Sequence, residues 1–238
     1  MVRQIVRLAL GPVLLWQGAR VRRDVLRLPE PEGPREGLTG AGPRLSLLIL
    51  GDSAAAGVGV ATQDDALSGR LVRKLTPQTG LHWRLFAKTG WTTGEALAAL
   101  DDLTGNFDVA VISLGVNDVT TETPRHRYIA TYARVVSRLR QNHGVRAVIA
   151  SALPPMGAFP ALPQPLRWYM GQQARAYGRA LAEWAASEPI AQYLPFEVTI
   201  GPEDMAADGF HPGPRIYQAW ADSAAAAIAR SAPRLTTS

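Results

Sequence analysis

Two short stretches far apart in the chain hold residue types that can do nucleophilic chemistry together. The first is Leu45-Ser-Leu-Leu-Ile-Leu-Gly-Asp-Ser-Ala-Ala-Ala-Gly57, an apolar run that stops at Gly51-Asp52-Ser53 and resumes as small residues able to start a helix. A helix opening at Ser53 would aim its free N–H groups and positive end toward the strand end, where an attacking hydroxyl and a developing oxyanion both benefit. Taken alone, Gly-Asp-Ser reads more simply as a helix cap. The second stretch is Met205-Ala-Ala-Asp208-Gly-Phe-His211-Pro-Gly213. An aspartate three residues before a histidine in a Gly-containing turn lets one loop supply both a base and its orienting carboxylate. Asp208 can accept the Nδ1 proton of His211, leaving Nε2 to take the proton of Ser53. An Asx-turn with an incidental histidine is the alternative.

Positioning these residues falls to a series of apolar runs separated by helical stripes. The 45–51 run is apolar on both alternating faces, which suits a strand covered on two sides. Leu67, Leu71, Val72 and Leu75 share a helical stripe over 64–75, and 81–87 reads as a strand. Thr92 and Glu95 have capping-box spacing for a helix to about Leu103. A second wholly apolar strand, 108–114, ends at Gly115-Val-Asn-Asp118. A long helix over 124–142 stops at Gly144, 145–151 is a strand, and a Pro-rich loop over 153–166 precedes a helix over 167–187. A last strand falls near 193–199, and Pro214 opens a closing helix through Arg230. Strands separated by helices of this length call for right-handed parallel crossovers, with the loops that follow strands gathered on one edge. Ser53, Gly90, Asn117 and His211 all lie in such loops.

Composition bounds the function. At 238 residues with 47% hydrophobic and 19% charged residues, the chain suits one sizeable α/β domain. With no cysteine, a thiolate nucleophile and a Cys-based zinc site are excluded. Eight arginines against four acidic residues in 1–44 put +4 of the formal +5 there. The remainder is a nearly neutral globule, which argues against a nucleic-acid-binding face. His82, His126 and His143 are scattered, so no histidine metal site is expected. No Gly-Lys-Ser/Thr follows the Gly51–Gly59 segment, so it is not a phosphate loop.

Four blocks in order give the chain a family likeness: Gly51-Asp52-Ser53, Gly90, Gly115-Val-Asn117-Asp118, and Asp208-Gly-Phe-His211. With these it resembles the SGNH or GDSL-type serine hydrolases over roughly residues 45 to 230. Ala54 departs from the pattern, standing where many members have leucine. The resemblance implies a three-layer α/β/α sandwich around a central, mainly parallel, flavodoxin-like five-stranded sheet. It implies a carboxylic ester hydrolase that needs no cofactor or metal, with Ser53 as nucleophile, His211 as general base and Asp208 as its partner. The oxyanion hole would comprise the N–H groups of Ser53 and Gly90 and the side-chain amide of Asn117. Gly90 has no Cβ to obstruct an approaching carbonyl oxygen, and Asn117 donates from a neutral amide.

The substrate is expected to be an acyl ester, lysophospholipid-type lipids included, with short-chain acyl thioesters and O-acetylated carbohydrates as alternatives. Over 154–170, Met156, Phe159, Leu162, Leu166 and Trp168 offer an apolar wall for the acyl group, or else pack over the sheet. A different class of reading is a non-catalytic, membrane-tethered binding module on the same fold. Residues 1–44 read as a basic, apolar arm followed by a Pro/Gly-rich linker, with the hydrolase domain over 45–238. The uncharged segment 8–19 is too short to span a bilayer but suits a helix lying in a membrane interface. A signal peptide and an arm packed on the domain are the rivals. Membrane surface contact through residues 1–28, and a membrane-associated or cytoplasmic location rather than secretion, are the expectations.

Overall fold

The computed structural model describes residues 2–77 and 79–236, with side chains for 10–77 and 79–231. Its strands are β1 (Glu36–Thr39), β2 (Arg44–Gly51), β3 (Gly80–Ala87), β4 (Val109–Ser113), β5 (Ala147–Ser151) and β6 (Ala191–Leu194). They form one sheet in the order β1-β3-β2-β4-β5-β6, with β2 to β6 parallel and β1 antiparallel to β3. Leu47 and Ile49 of β2 face one apolar layer and Leu48 and Leu50 the other, and all four are fully buried. That two-sided burial is the reason the run carries no polar alternation.

The helices are α1 (Val2–Asp24), α2 (Ser53–Ala56), α3 (Leu67–Leu75), α4 (Thr93–Ala99), α5 (Val116–Thr120), α6 (Arg125–His143), α7 (Leu166–Ser187) and α8 (Pro214–Thr236). One sheet face is covered by α3 and α8 through Leu67, Leu71, Tyr217, Ala221 and Ala224. The other is covered by α4, α6 and α7 through Leu97, Tyr132, Leu139 and Tyr177. The expected Thr92–Glu95 capping box opens α4, and Gly144, at φ +67°, closes α6. Strand β6 stops at Leu194 rather than running to Thr199 because Pro195 supplies no N–H to the ladder.

Six strands form where five were expected. The additional strand, β1, lies in the Pro/Gly-rich segment read from composition as a linker. It is four residues long and mostly exposed, so its sequence has no apolar alternation to betray it; backbone pairing to β3 defines it. Upstream, α1 rests on α7. Leu14 and Gln17 are buried, with Gln17 Nε2 donating to the Gln164 carbonyl at 2.7 Å and Leu166 N–H donating to Gln17 Oε1 at 3.1 Å. Among the described residues no helix is long and apolar enough to cross a membrane.

After β3 the chain returns past β2 to build β4, so the direction of winding reverses between β2 and β4. The crevice outside the carboxyl ends of these strands is where doubly wound sheets bind ligands. The bend there depends on Gly51. A Cβ on Gly51 would lie 2.5 Å from the Ser113 carbonyl oxygen and 2.5 Å from Ala55 Cβ, and neither atom can retreat without moving backbone. Gly51→Ala is therefore expected to destabilise the fold by about 1–3 kcal/mol. Urea unfolding beside wild type checks this, and an unchanged midpoint would count against it.

Candidate active site

Each residue singled out in the loops is placed by a local device. Asp52 caps α2: its Oδ1 accepts from the Ala54 N–H at 3.1 Å, and its own N–H donates to the Ser113 carbonyl at 3.1 Å. Ser53 is thereby the first residue of the helix, half-buried, and its N–H has no acceptor among the described residues. Tyr217 of α8 reaches under the turn, its hydroxyl donating to the carbonyls of Ala54 at 3.0 Å and Val58 at 2.7 Å.

The loop before α8 is a tight turn pinned by two backbone bonds. Ala206 N–H donates to the His211 carbonyl, and Gly209 N–H to the Ala206 carbonyl, each at 2.9 Å. Within it, Asp208 Oδ1 accepts the N–H groups of Phe210 at 2.9 Å and His211 at 3.0 Å. Its Oδ2 lies 2.5 Å from His211 Nδ1, and His211 Nε2 lies 2.8 Å from Ser53 Oγ. Burial of Asp208 opposes ionisation, but the imidazole and the two N–H groups outweigh it and hold its carboxyl below the usual range. An ionised Asp208 can only accept, so Nδ1 carries the proton and Nε2 is left to accept from the serine hydroxyl.

The Gly90 turn follows β3 and α5 follows β4, the two strands that flank β2. Trp91 N–H donates to the Lys88 carbonyl at 3.2 Å, closing a turn in which Gly90 sits at φ +89°. A Cβ there would meet no protein atom within 4 Å. Glycine is thus demanded by the backbone angle, not by crowding from the protein as such. The Gly90 N–H has no acceptor among the described residues. Asn117, in the first turn of α5, donates one amide hydrogen to the Trp91 carbonyl at 2.9 Å, which fixes which end is nitrogen and leaves a second hydrogen.

Three further carboxylate and guanidinium groups hold these loops; in the sequence Asp118 is marked only as part of a block, and Asp204 and Arg215 are not marked at all. Asp118, buried, accepts from Thr93 N–H at 2.9 Å and Thr93 Oγ1 at 2.8 Å, locking α5 to the start of α4. Asp204 and Arg215 form a bidentate pair that fastens the histidine loop to α8. Arg215 draws the Asp204 carboxyl down to about 2. Asp118 is adjacent to a marked asparagine, but nothing in the spacing of 204 and 215 announces a pair.

The proposed apolar wall does not form as a surface. Met156, Phe159 and Leu162 are buried in the core beneath α7, with Phe159 edge-on to Phe210, while Trp168 projects to solvent from α7. Of the two readings open for this loop, packing is the one realised, because α7 needs an apolar cover that the Pro-rich loop supplies. A different apolar cleft, of about 50 Å³, opens beside the turn that carries Ser53, lined by Ala54, Pro154, Leu194, Phe196, Pro212 and Trp220 among others.

Comparison with known proteins gives the chain's family and its fold relatives. Residues 49–219 match the GDSL-like Lipase/Acylhydrolase family. The chain is 32% identical over 190 residues to a GDSL-like esterase of Mycobacterium tuberculosis, a match covering 74% of this chain and spanning 59% of that relative's length. Among solved structures, a lipase from a goat rumen metagenome has a TM-score of 0.60 at 21% identity, over 77% of this chain and 97% of that one. A psychrotrophic esterase from Pseudoalteromonas has a TM-score of 0.60 at 20% identity, over 78% and 97%. At such identities the structural likeness is one of fold.

The capping carboxylate beside the serine titrates unusually. Burial pushes Asp52 up to about 7, with the Ala54 N–H and His211 pulling against it and Asp118 adding to it. Between its ordinary value of 3.8 and about 7 the native state holds a proton that the unfolded chain has lost, so this group's stabilising contribution is lost as pH rises through that window. Asn at this position cannot titrate yet keeps an oxygen for the Ala54 N–H. Asp52→Asn is expected to unfold at a higher temperature than wild type at about pH 8, with the gap closing toward about pH 4. Melting curves of equal separation at both pH values would refute the assignment.

Proposed function

Because the chain belongs to the GDSL-like lipase/acylhydrolase family, we propose that it is a serine hydrolase that cleaves carboxylic esters through an acyl-enzyme on Ser53. The observation that carries this is the continuous hydrogen-bonded series from Asp208 through both nitrogens of His211 to Ser53 Oγ. Ser53 Oγ attacks the ester carbonyl carbon as its proton passes to His211 Nε2, and Asp208 stabilises the imidazolium. The oxyanion is held by the N–H groups of Ser53 and Gly90 and the remaining amide hydrogen of Asn117. As the C–O bond breaks, His211 returns the proton to the leaving alcohol. A water then gives one proton to His211 as it attacks the acyl carbon, the Ser53 Oγ–carbon bond breaks, and His211 returns that proton to Oγ as the carboxylic acid leaves.

For substrate class the reading is esters with a short acyl group. The cleft beside Ala54 is apolar and about 50 Å³, on a scale where about 10–15 Å³ admits one water. That favours a few carbons over a long chain. Ala54 contributes to the opening, so a leucine there would fill it.

A second reading concerns where the enzyme works. On α1 the inner face is occupied by α7, while Val13, Leu15 and Trp16 are exposed, Leu15 by 73% and Trp16 by 60%. The guanidinium of Arg20 lies over the Trp16 ring at 5.6 Å, and Arg22 and Arg27 are also exposed. An apolar strip bordered by arginines suits an anionic bilayer surface, with the helix lying along it.

Ser53→Ala is expected to abolish turnover of p-nitrophenyl esters, and Asn117→Ala to lower kcat by ~10²- to 10³-fold, about 2.7–4 kcal/mol. A series from acetate to palmitate, with matched thioesters, should peak at short acyl chains, and Ala54→Leu should shift the optimum shorter still. Turnover that survives in Ser53→Ala would end the mechanism, and an optimum at palmitate would end the short-acyl assignment. For the surface contact, phosphatidylglycerol vesicles should sediment wild type and much less of a Leu15→Ser/Trp16→Ser variant; equal sedimentation of the two would dismiss it.

A further inference from the structure

The segment ahead of the family match is built into the wall that carries Gly90. Glu30 Oε1 accepts the Thr89 N–H at 2.7 Å and the Thr89 hydroxyl at 2.8 Å. Its other oxygen, Oε2, accepts from Arg35 Nη1 at 2.8 Å, and Arg35 Nη2 donates to the carbonyl of Ala87. A closed circuit therefore runs from Glu30 to Thr89 and from Arg35 to Ala87, gripping the turn on either side of Lys88, with Thr89 immediately before Gly90. Neither Glu30 nor Arg35 lies within residues 49–219, the part that matches the family.

The course of this strap is fixed at further points. The Glu32 carbonyl accepts the Gln63 N–H at 2.8 Å, and the Arg35 carbonyl accepts the Leu85 N–H. Buried Gln63 donates through Nε2 to the carbonyl of Ala56 at 2.8 Å, at the end of the helix that Ser53 begins. Next along the strap, β1 zips onto β3. Burial works against a charge on Glu30, yet Thr89 and Arg35 outweigh it and keep the carboxyl below its ordinary range.

We infer that Glu30, clamped by Arg35, is a positioning residue for the ester hydrolysis, holding the Gly90 N–H at the place where the oxyanion forms. The inference rests on the proposed role of Gly90. Nothing else among the described residues hydrogen-bonds the Thr89 N–H or hydroxyl. A turn whose central residue has φ +89° and an open side has little packing to keep it in register. A donor aimed at a developing charge loses most of its value when it is displaced by a fraction of an ångström.

The test is steady-state kinetics on p-nitrophenyl butyrate with the full chain, well below the melting transition of each variant. Glu30→Ala is expected to lower kcat by roughly 10- to 100-fold, short of losing a donor outright, while KM changes by less than about twofold. Glu30→Gln keeps an oxygen to accept from Thr89 but loses the acceptor for Arg35, so it should recover part of kcat. A merely structural role would lower the melting temperature of Glu30→Ala without this split between kcat and KM. Wild-type kcat in folded Glu30→Ala, or no recovery in Glu30→Gln, overturns the inference even though Ser53→Ala is inactive. If Ser53→Ala is itself active, the hydrolase reading has failed instead.

Discussion

An imidazole takes a proton from a serine most effectively when both of its nitrogens are engaged at once, one by a carboxylate and one by the hydroxyl. Here Asp208 and His211 share a loop, so their 2.5 Å contact is a local matter. The 2.8 Å contact to Ser53, 158 residues away in sequence, is not. It requires that the end of β2 and the start of α8 be held to a few tenths of an ångström, and much of the structure around the sheet edge can be understood as meeting that tolerance.

The ties are mostly backbone carbonyls recruited across elements. Lys88 N–H donates to the Gly51 carbonyl, and Asp52 N–H to that of Ser113, so the three strand ends that carry the candidate residues are bonded to one another. Tyr217 binds α8 to the turn after Ser53, and Tyr128 donates to the Leu114 carbonyl before α5. Asp204 with Arg215 fastens the histidine loop from the far side. Hydrogen bonds of this kind contribute modestly to stability, about 0.5–1.5 kcal/mol each, but their directionality restricts the relative positions of loops that apolar packing alone leaves loose.

Two buried carboxylates sit within this frame with different consequences. Asp118 is satisfied by both donors of Thr93, which makes it a rivet between helices. Asp52 receives one N–H, and burial leaves its carboxyl near neutrality. A capping carboxylate beside Ser53 is therefore caught between supporting the helix start and the cost of burying charge. That conflict is the kind expected where function, not stability, sets the residue.

What the chain's letters determined by themselves was local and chemical. Two-sided apolar runs identified buried strands, the Thr92–Glu95 box and Gly144 identified helix ends, and the order of four short blocks pointed to a serine hydrolase, because each depends on residues close in sequence. The shallow, mostly exposed β1 was hidden, since an edge strand held by backbone pairing imposes little on side-chain type. The 153–166 loop kept two readings open because apolar residues that line a cleft and those that cover a helix have the same composition. Only the tertiary structure decided that Met156, Phe159 and Leu162 are core, that Ala54 borders a cleft, and that Glu30 grips the Gly90 turn. Those outcomes depend on which surfaces meet after the sheet has wound past itself, and long-range contacts of that kind leave no periodicity in the sequence to read.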